Sequence, residues 1–225
     1  MKKLFLIVFI TLSSFPVFAQ MVNMHANTGE VMKAKKYIGV EGSPYLFPEW
    51  RTGTFTDVDG KSRGKYQLRY NIYDDELEII KEKKAISLNH QLVKEFEVFN
   101  PENAGRSLFR SGYPAHDEYD PSDFYGVLND DGDFHLLKKY SCTITKVETR
   151  GYGENTATQK FLQSSKYYVY SEKTGFIKIN KSRKSIFEVF PKHEQQLKTF
   201  IKKNKINIKN DNDLARLIQF CNSIN

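Results

Sequence analysis

Four carboxylates and one imidazole fall within eight residues of this chain: His116, Asp117, Glu118, Asp120 and Asp123 in "HDEYDPSD". That donor set suits a divalent cation if the loop folds around it, because hard cations take oxygen ligands from flexible acidic loops. A solvated acidic loop on a basic protein accounts for the same residues, and no metal ligand is assigned. A second acidic group, Asp74, Asp75, Glu76 and Glu78, interrupts the apolar run "LRYNIYDDELEII". It reads as the turn of a hairpin. A turn at Asp74-Asp75 sets Ile72 opposite Leu77 and Tyr70 opposite Ile79. Asn71 then faces Glu78, and Arg69 lies diagonal to that carboxylate. In this register two acids make the turn, two decorate the solvent face, and Asn-Gly in place of Asp74-Asp75 would keep or raise stability.

Other partial motifs fail on spacing. "HEQQL" (193–197) has Leu197 where a zinc protease needs its second histidine, so His193 and Glu194 read as polar residues of a first helical turn. "GYGENT" (151–156) has Thr156 at the third glycine of a dinucleotide fingerprint and no βαβ alternation around it. The Asp-Gly pairs in "TFTDVDGK" and "VLNDDGD" put Phe55 and Val127 at the first position of a calcium loop, which excludes an EF-hand and leaves hairpin turns. No G-x-S-x-G elbow occurs, and neither Cys142 nor Cys221 has a neighbouring histidine. No catalytic, cofactor-binding or metal residue is therefore assigned, and the balance favours a non-enzyme. Both cysteines fall on apolar faces and read as core thiols; an oxidising compartment also permits a bridge between them, and sequence leaves that open.

The amino terminus specifies a compartment. Lys2 and Lys3, the apolar run Leu4 to Leu12, and Val17-Phe18-Ala19 make a secretory signal peptide (1–19) cut between Ala19 and Gln20. The apolar run is too short for a membrane span, and no cysteine follows the cut to carry a lipid. The expected location is the periplasm or outside the cell. The net charge of +7 includes two lysines of the leader. The excess that remains implies weak contact with anionic surfaces and does not point to nucleic acid. Lys192, Lys198, Lys202, Lys203, Lys205 and Lys209 supply such a surface in the tail, or simply its solvated face.

The elements that must position these residues are mostly strands. Residues 20–35 form a weakly patterned lead-in. From 36 to 190, with 17 Phe and 13 Tyr in the chain, apolar and polar residues alternate in short runs separated by Gly, Asp and Lys turns. Residues 36–46 read as a strand followed by a Gly-Ser-Pro turn, 124–147 as a long hairpin with Leu128 opposite Phe134 and Gly126 opposite Leu136, and 166–190 as three short strands with turns at Lys173–Gly175 and Lys181–Lys184. The period changes at 191. Leu197, Phe200 and Ile201 mark one helix, and Leu214, Leu217, Ile218 and Cys221 mark another capped near Asn210 or Asp211. The fold expected is mainly β, an antiparallel curved sheet or open barrel, with two short C-terminal α-helices; an α+β sandwich is the alternative.

Two stretches resemble small secreted proteins of Bacteroidota. "GSPYLFPEWRTGTFTDVDGKSRGKYQLRYNIYDDELEI" (42–79) is similar to their G-x-PYL opening and LRYN-I/L-Y-x-D core. "LKTFIKKNKINIKNDNDLARLIQFCNSI" (197–224) is similar to their lysine-rich tail closing in N-S-I. The resemblance implies a Gram-negative envelope location and carries no site residue over. The function expected is that of an exported non-enzymatic protein that binds an apolar or glycan ligand in a Tyr- and Phe-lined β cup. Alternatives are an interaction module on an outer-membrane complex, and a hydrolase whose site assembles from loops 100–123 and 151–160.

Overall fold

The computed structural model describes residues 37–88, 90–100, 105–150 and 155–225. The signal peptide, the lead-in to residue 35 and Gly151–Glu154 of "GYGENT" lie outside the described residues. What is described is mainly β: one open sheet of eleven strands, with three helices in the C-terminal region. The strands are β1 (Val40–Glu41), β2 (Arg51–Asp57), β3 (Ser62–Asn71), β4 (Glu76–Lys81), β5 (Lys84–Leu88), β6 (Val93–Asn100), β7 (Gly105–Arg110), β8 (Tyr125–Asn129), β9 (His135–Arg150), β10 (Asn155–Ser171) and β11 (Gly175–Ile179). Their order is β1-β10-β9-β8-β7-β6-β2-β3-β4-β5, with β11 on β10. All pairs are antiparallel except β1 with β10.

The sheet curls until its two ends share a core. Leu68, Tyr70, Leu77 and Ile79 from one end meet Cys142 and Phe161 from the other, around Phe96, Phe109 and Phe124. Phe96 and Phe109 stack at 4.7 Å, and Tyr70 meets both edge-on or tilted at 5.2 and 5.3 Å. These rings fill the inside of the curl, so the ligand cup expected there is occupied by side chains. Residues 40–46 reach across the seam. Val40 and Glu41 pair with Gln159 and Lys160. A few residues on, Leu46 N–H donates to Tyr70 O, and Ile72 N–H donates to Pro44 O. The strand expected before the Gly-Ser-Pro turn is only two residues, because Gly39 takes a left-handed φ of 78° and Gly42, at the expected turn, one of 87°. Gly53 is required for a different reason. A Cβ there would stand 2.1 Å from Glu97 O, at the bulge where β2 changes register against β3.

Both hairpin registers differ from the expected ones. In β3–β4 the pairs are Tyr70 with Leu77, Arg69 with Glu78 and Leu68 with Ile79, around a longer turn over Ile72–Asp75. The wider loop lets Ile72 bury at the seam instead of pairing with Leu77. In β8–β9, Gly126 faces Lys138 and Val127 faces Leu137. Leu128 bulges out, and Asn129 pairs with Leu136. The bulge sends Leu128 to the helical layer.

A third helix precedes the expected two. The turn expected at 181–184 and the strand expected after it, in "IFEVF", instead give α1 (Arg183–Val189). Ser182 caps it by accepting from Ser185 N–H, and Ile186 and Phe190, four residues apart, bury together. Pro191–His193 make a 3-10 turn into α2 (Glu194–Lys203). Asn210 caps α3 (Asp211–Ile224) by accepting from Asn212 and Asp213 N–H, and the expected stripe Leu214, Leu217, Ile218, Cys221 is buried. These helices cover Leu136, Val169 and Ile179 of the sheet. No helix among the described residues is long and apolar enough to cross a membrane. Cys142 and Cys221 are both buried free thiols in separate clusters.

Candidate functional site

The two acidic groups singled out above converge with a lysine. β9 alternates Leu137, Lys139, Ser141 on one face and Leu136, Tyr140, Cys142 on the other. Lys139 occupies a position the pattern assigns to an apolar side chain and is only 3% exposed. Its Nζ lies 2.7 Å from Asp123 Oδ1 and 3.1 Å from Asp75 Oδ2. Asp123 is presented by the loop before β8, where its Oδ2 accepts from Asp120 N–H at 2.7 Å. Asp75 is presented by the β3–β4 turn with a left-handed φ of 56°. Its Oδ2 also accepts from Phe124 N–H at 3.2 Å, and its Oδ1 accepts from the Tyr70 hydroxyl. The rings of Tyr119 and Tyr125 stand 5.3 and 5.6 Å from Nζ. Burial pushes the Asp75 carboxyl above the usual carboxylate range, against the pull of Lys139 and Tyr70. Burial and the Asp75 charge push the Tyr70 hydroxyl well up.

The turn acids are therefore more than a turn. Asp74 accepts from Tyr37 and Asn71, and Asp75 closes the seam against β9. Glu78, expected on the solvent face, is 1% exposed. It accepts from Arg69 Nε and Nη2 at 3.0 and 2.8 Å and from the Tyr45 hydroxyl at 3.1 Å. Burial raises its carboxyl despite Arg69. Asn-Gly in place of Asp74-Asp75 would remove the Asp75 bonds to Tyr70, Phe124 N–H and Lys139, so it would lower stability rather than keep or raise it.

Beside Lys139 lies an aromatic layer. His116 stacks on Phe176 at 3.6 Å, with Tyr168 edge-on at 4.8 Å. Its Nδ1 is 3.4 Å from the Tyr125 hydroxyl, whereas His116 Nε2 and the Tyr168 hydroxyl are buried without a hydrogen-bond partner. Burial lowers the His116 pKa and raises that of Tyr168 to about 12. Of the other loop acids, Glu118 pairs with Lys166 at 2.5 Å on the surface, and Asp120 accepts from Ser122. Among the described residues no group of three or more His, Cys, Asp or Glu is placed to hold a metal. The aromatic layer continues through Tyr113 and Tyr170 to His135. There it opens into a cleft of about 600 Å3 between the β8–β9 loop and the β10–β11 turn. His135 and Tyr170 line it, with Asp133, Ser171, Glu172 and Lys173 among its polar groups. His135 Nδ1 is 3.2 Å from the Tyr113 hydroxyl, and burial lowers the His135 pKa.

Of the loops expected to wall a hydrolase site, the described part of 100–123 brings His116 and Asp123 to this region, while residues 101–104 and 151–154 lie outside the described residues. His193 meets only Gln196 within its own turn, at 2.8 Å. Lys198 pairs with Glu194 one turn away at 2.6 Å. Sequence reasoning missed Lys139, Tyr168 and the cleft. The available signal for Lys139 was a charge in phase with buried Leu137, directly after Lys138 on the other face. No family model, curated protein or solved structure matches the chain.

Proposed function

We propose that this chain is an exported, non-enzymatic protein of the cell envelope that binds a small polyhydroxylated ligand, of the saccharide class, in the cleft at His135 and Tyr170. The observation that carries the reading is the pairing of those two rings with carboxylate, hydroxyl and amine groups in one cleft of about 600 Å3. Sugar C–H faces pack on aromatic rings, and sugar hydroxyls need the mixed donors and acceptors that Asp133, Ser171, Glu172 and Lys173 supply. With the interior of the curl filled by side chains, the cleft at this end of the sheet, not the expected cup, supports the reading.

The test is native purification from periplasm, mass spectrometry of the small molecules that copurify, and saturation-transfer NMR with mono- and disaccharides. Tyr170→Ala should abolish both the copurifying species and the transfer. Saccharides that neither copurify nor receive transfer with the unaltered protein, or transfer unchanged in Tyr170→Ala, would overturn the assignment.

A further inference from the structure

We propose that Lys139 and Asp75 become joined, after folding, by an intramolecular side-chain amide, with Asp123 as the proton carrier. The fold holds the reacting groups together. Lys139 Nζ is 3.1 Å from Asp75 Oδ2, on a side chain that is almost wholly buried. Contact at this range, imposed by strands far apart in sequence, replaces a bimolecular encounter by a fixed one. A second carboxylate, Asp123, touches the same nitrogen at 2.7 Å and has its other oxygen occupied by Asp120 N–H. The surroundings are aromatic: Tyr70 on Asp75, the Phe124 ring edge-on to Tyr70 at 6.0 Å, and Tyr119 and Tyr125 around Nζ. Such walls limit water and raise the cost of a charged Asp75 carboxylate. The upward push on the Asp75 carboxyl agrees with this.

The step balances without any co-reactant. The Lys139 ammonium passes one proton to Asp75, giving free amine and carboxylic acid. The Nζ lone pair adds to Cγ, and Asp123 takes the second proton from nitrogen. Charge that develops on Oδ1 meets the Tyr70 hydroxyl, which already donates there. The Cγ–Oδ2 bond breaks, and the leaving hydroxide takes the proton from Asp123 and departs as water. One ammonium and one carboxylate become one amide and one water, and Asp123 is regenerated. The product ties the β3–β4 turn to β9, independently of any ligand in the cleft.

Mass spectrometry of the full chain, denatured and digested with trypsin, decides the matter. The expected result is a cross-linked pair of peptides containing Asp75 and Lys139, lighter than their sum by one water (about 18 Da), with no cleavage after Lys139. Lys139→Arg should give the separate Asp75 peptide at full mass and a lower melting temperature. Asp123→Asn, which keeps the reacting pair, should leave most molecules unlinked. Separate Asp75 and Lys139 peptides at full mass in the unaltered protein would overturn the proposal. So would a loss of water that persists in Lys139→Arg. If Lys139→Arg fails to fold, the digest of the unaltered chain still gives the answer.

Discussion

The β3–β4 hairpin carries two buried ion clusters, and they are built on opposite principles. In the first, Arg69 and Glu78 face each other across the ladder, nine residues apart. The guanidinium lies between the rings of Tyr45 and Trp50, at 3.6 and 4.4 Å, and two of its N–H groups converge on one carboxylate oxygen. In the second, Asp75 meets Lys139 from 64 residues away, and Asp123 completes the cluster. Arginine is planar, delocalised and permanently charged, so the first cluster can only be a tie. Lysine ends in a single primary nitrogen on a flexible stem, here in contact with two carboxylates, so the second can hold the seam and offers the contact from which an amide can form. The first stabilises a hairpin. The second closes the curl of the whole sheet.

Breaking the long-range cluster should cost most. Lys139→Met leaves Asp75 and Asp123 facing each other with no cation and also removes the nitrogen of the proposed amide; a buried pair broken at one partner alone costs about 3–5 kcal/mol, so the loss should be at least that large. Urea unfolding should show that loss, and a loss below about 1 kcal/mol, the range of exposed pairs, would place the cluster in water. Next, Asp74-Asp75→Asn-Gly suits the left-handed backbone at position 75 yet removes the carboxylates. It should lower stability by about 2 kcal/mol, within the range for hydrogen bonds to charged groups. An unchanged midpoint would return the two acids to the role of a plain turn. Glu78→Gln keeps part of its hydrogen bonding and should cost about 1.5 kcal/mol. A double-mutant cycle with Arg69→Met should show positive coupling between the two residues.

The smallest effect belongs to His116. Burial lowers its pKa in the folded chain, so the unfolded chain binds the proton more tightly. Its contribution is complete above the ordinary imidazole range, near pH ~6.5, and is lost as pH falls below it. The carboxylates of Asp117, Glu118 and Asp123 oppose this shift, and Lys166 supports it. His116→Phe preserves the stack on Phe176 and should flatten the fall in stability between pH 7.5 and 5 relative to the unaltered chain. Parallel curves would show that His116 does not titrate in that range.

The sequence made the local cluster half visible and the long-range one almost invisible. Alternation in "LRYNIYDDELEII" put Arg69 near Glu78 and named the apolar partners. The register slipped because the turn is four residues, and nothing local shows that Ile72 has a buried place at the seam. The acidic stretch His116–Asp123 was visible as polar density, but its partner Lys139 meets the β3–β4 turn only through the curl of the sheet. The α3 stripe and cap were legible because a 3.6-residue period and Asn210 carry them within fourteen residues. Residues 183–189 were not, since a period of two in "IFEVF" and an i, i+4 pair in Ile186 and Phe190 share the same letters. Ser182 decides between them, and its capping bond is a feature of the folded chain. The cleft depends on the β8–β9 loop and the β10–β11 turn meeting at one end of the sheet, which no single stretch encodes.

Hydrogen exchange followed by mass spectrometry in Lys139→Met tests most directly the claim that Lys139 closes the curl. Protection should fall at the turn over Ile72–Asp75 and at Phe124 N–H, while the ladder from Leu68 to Asn71 against Glu76 to Ile79 stays protected. Unchanged exchange at the turn, or an equal loss along the whole hairpin, would contradict it.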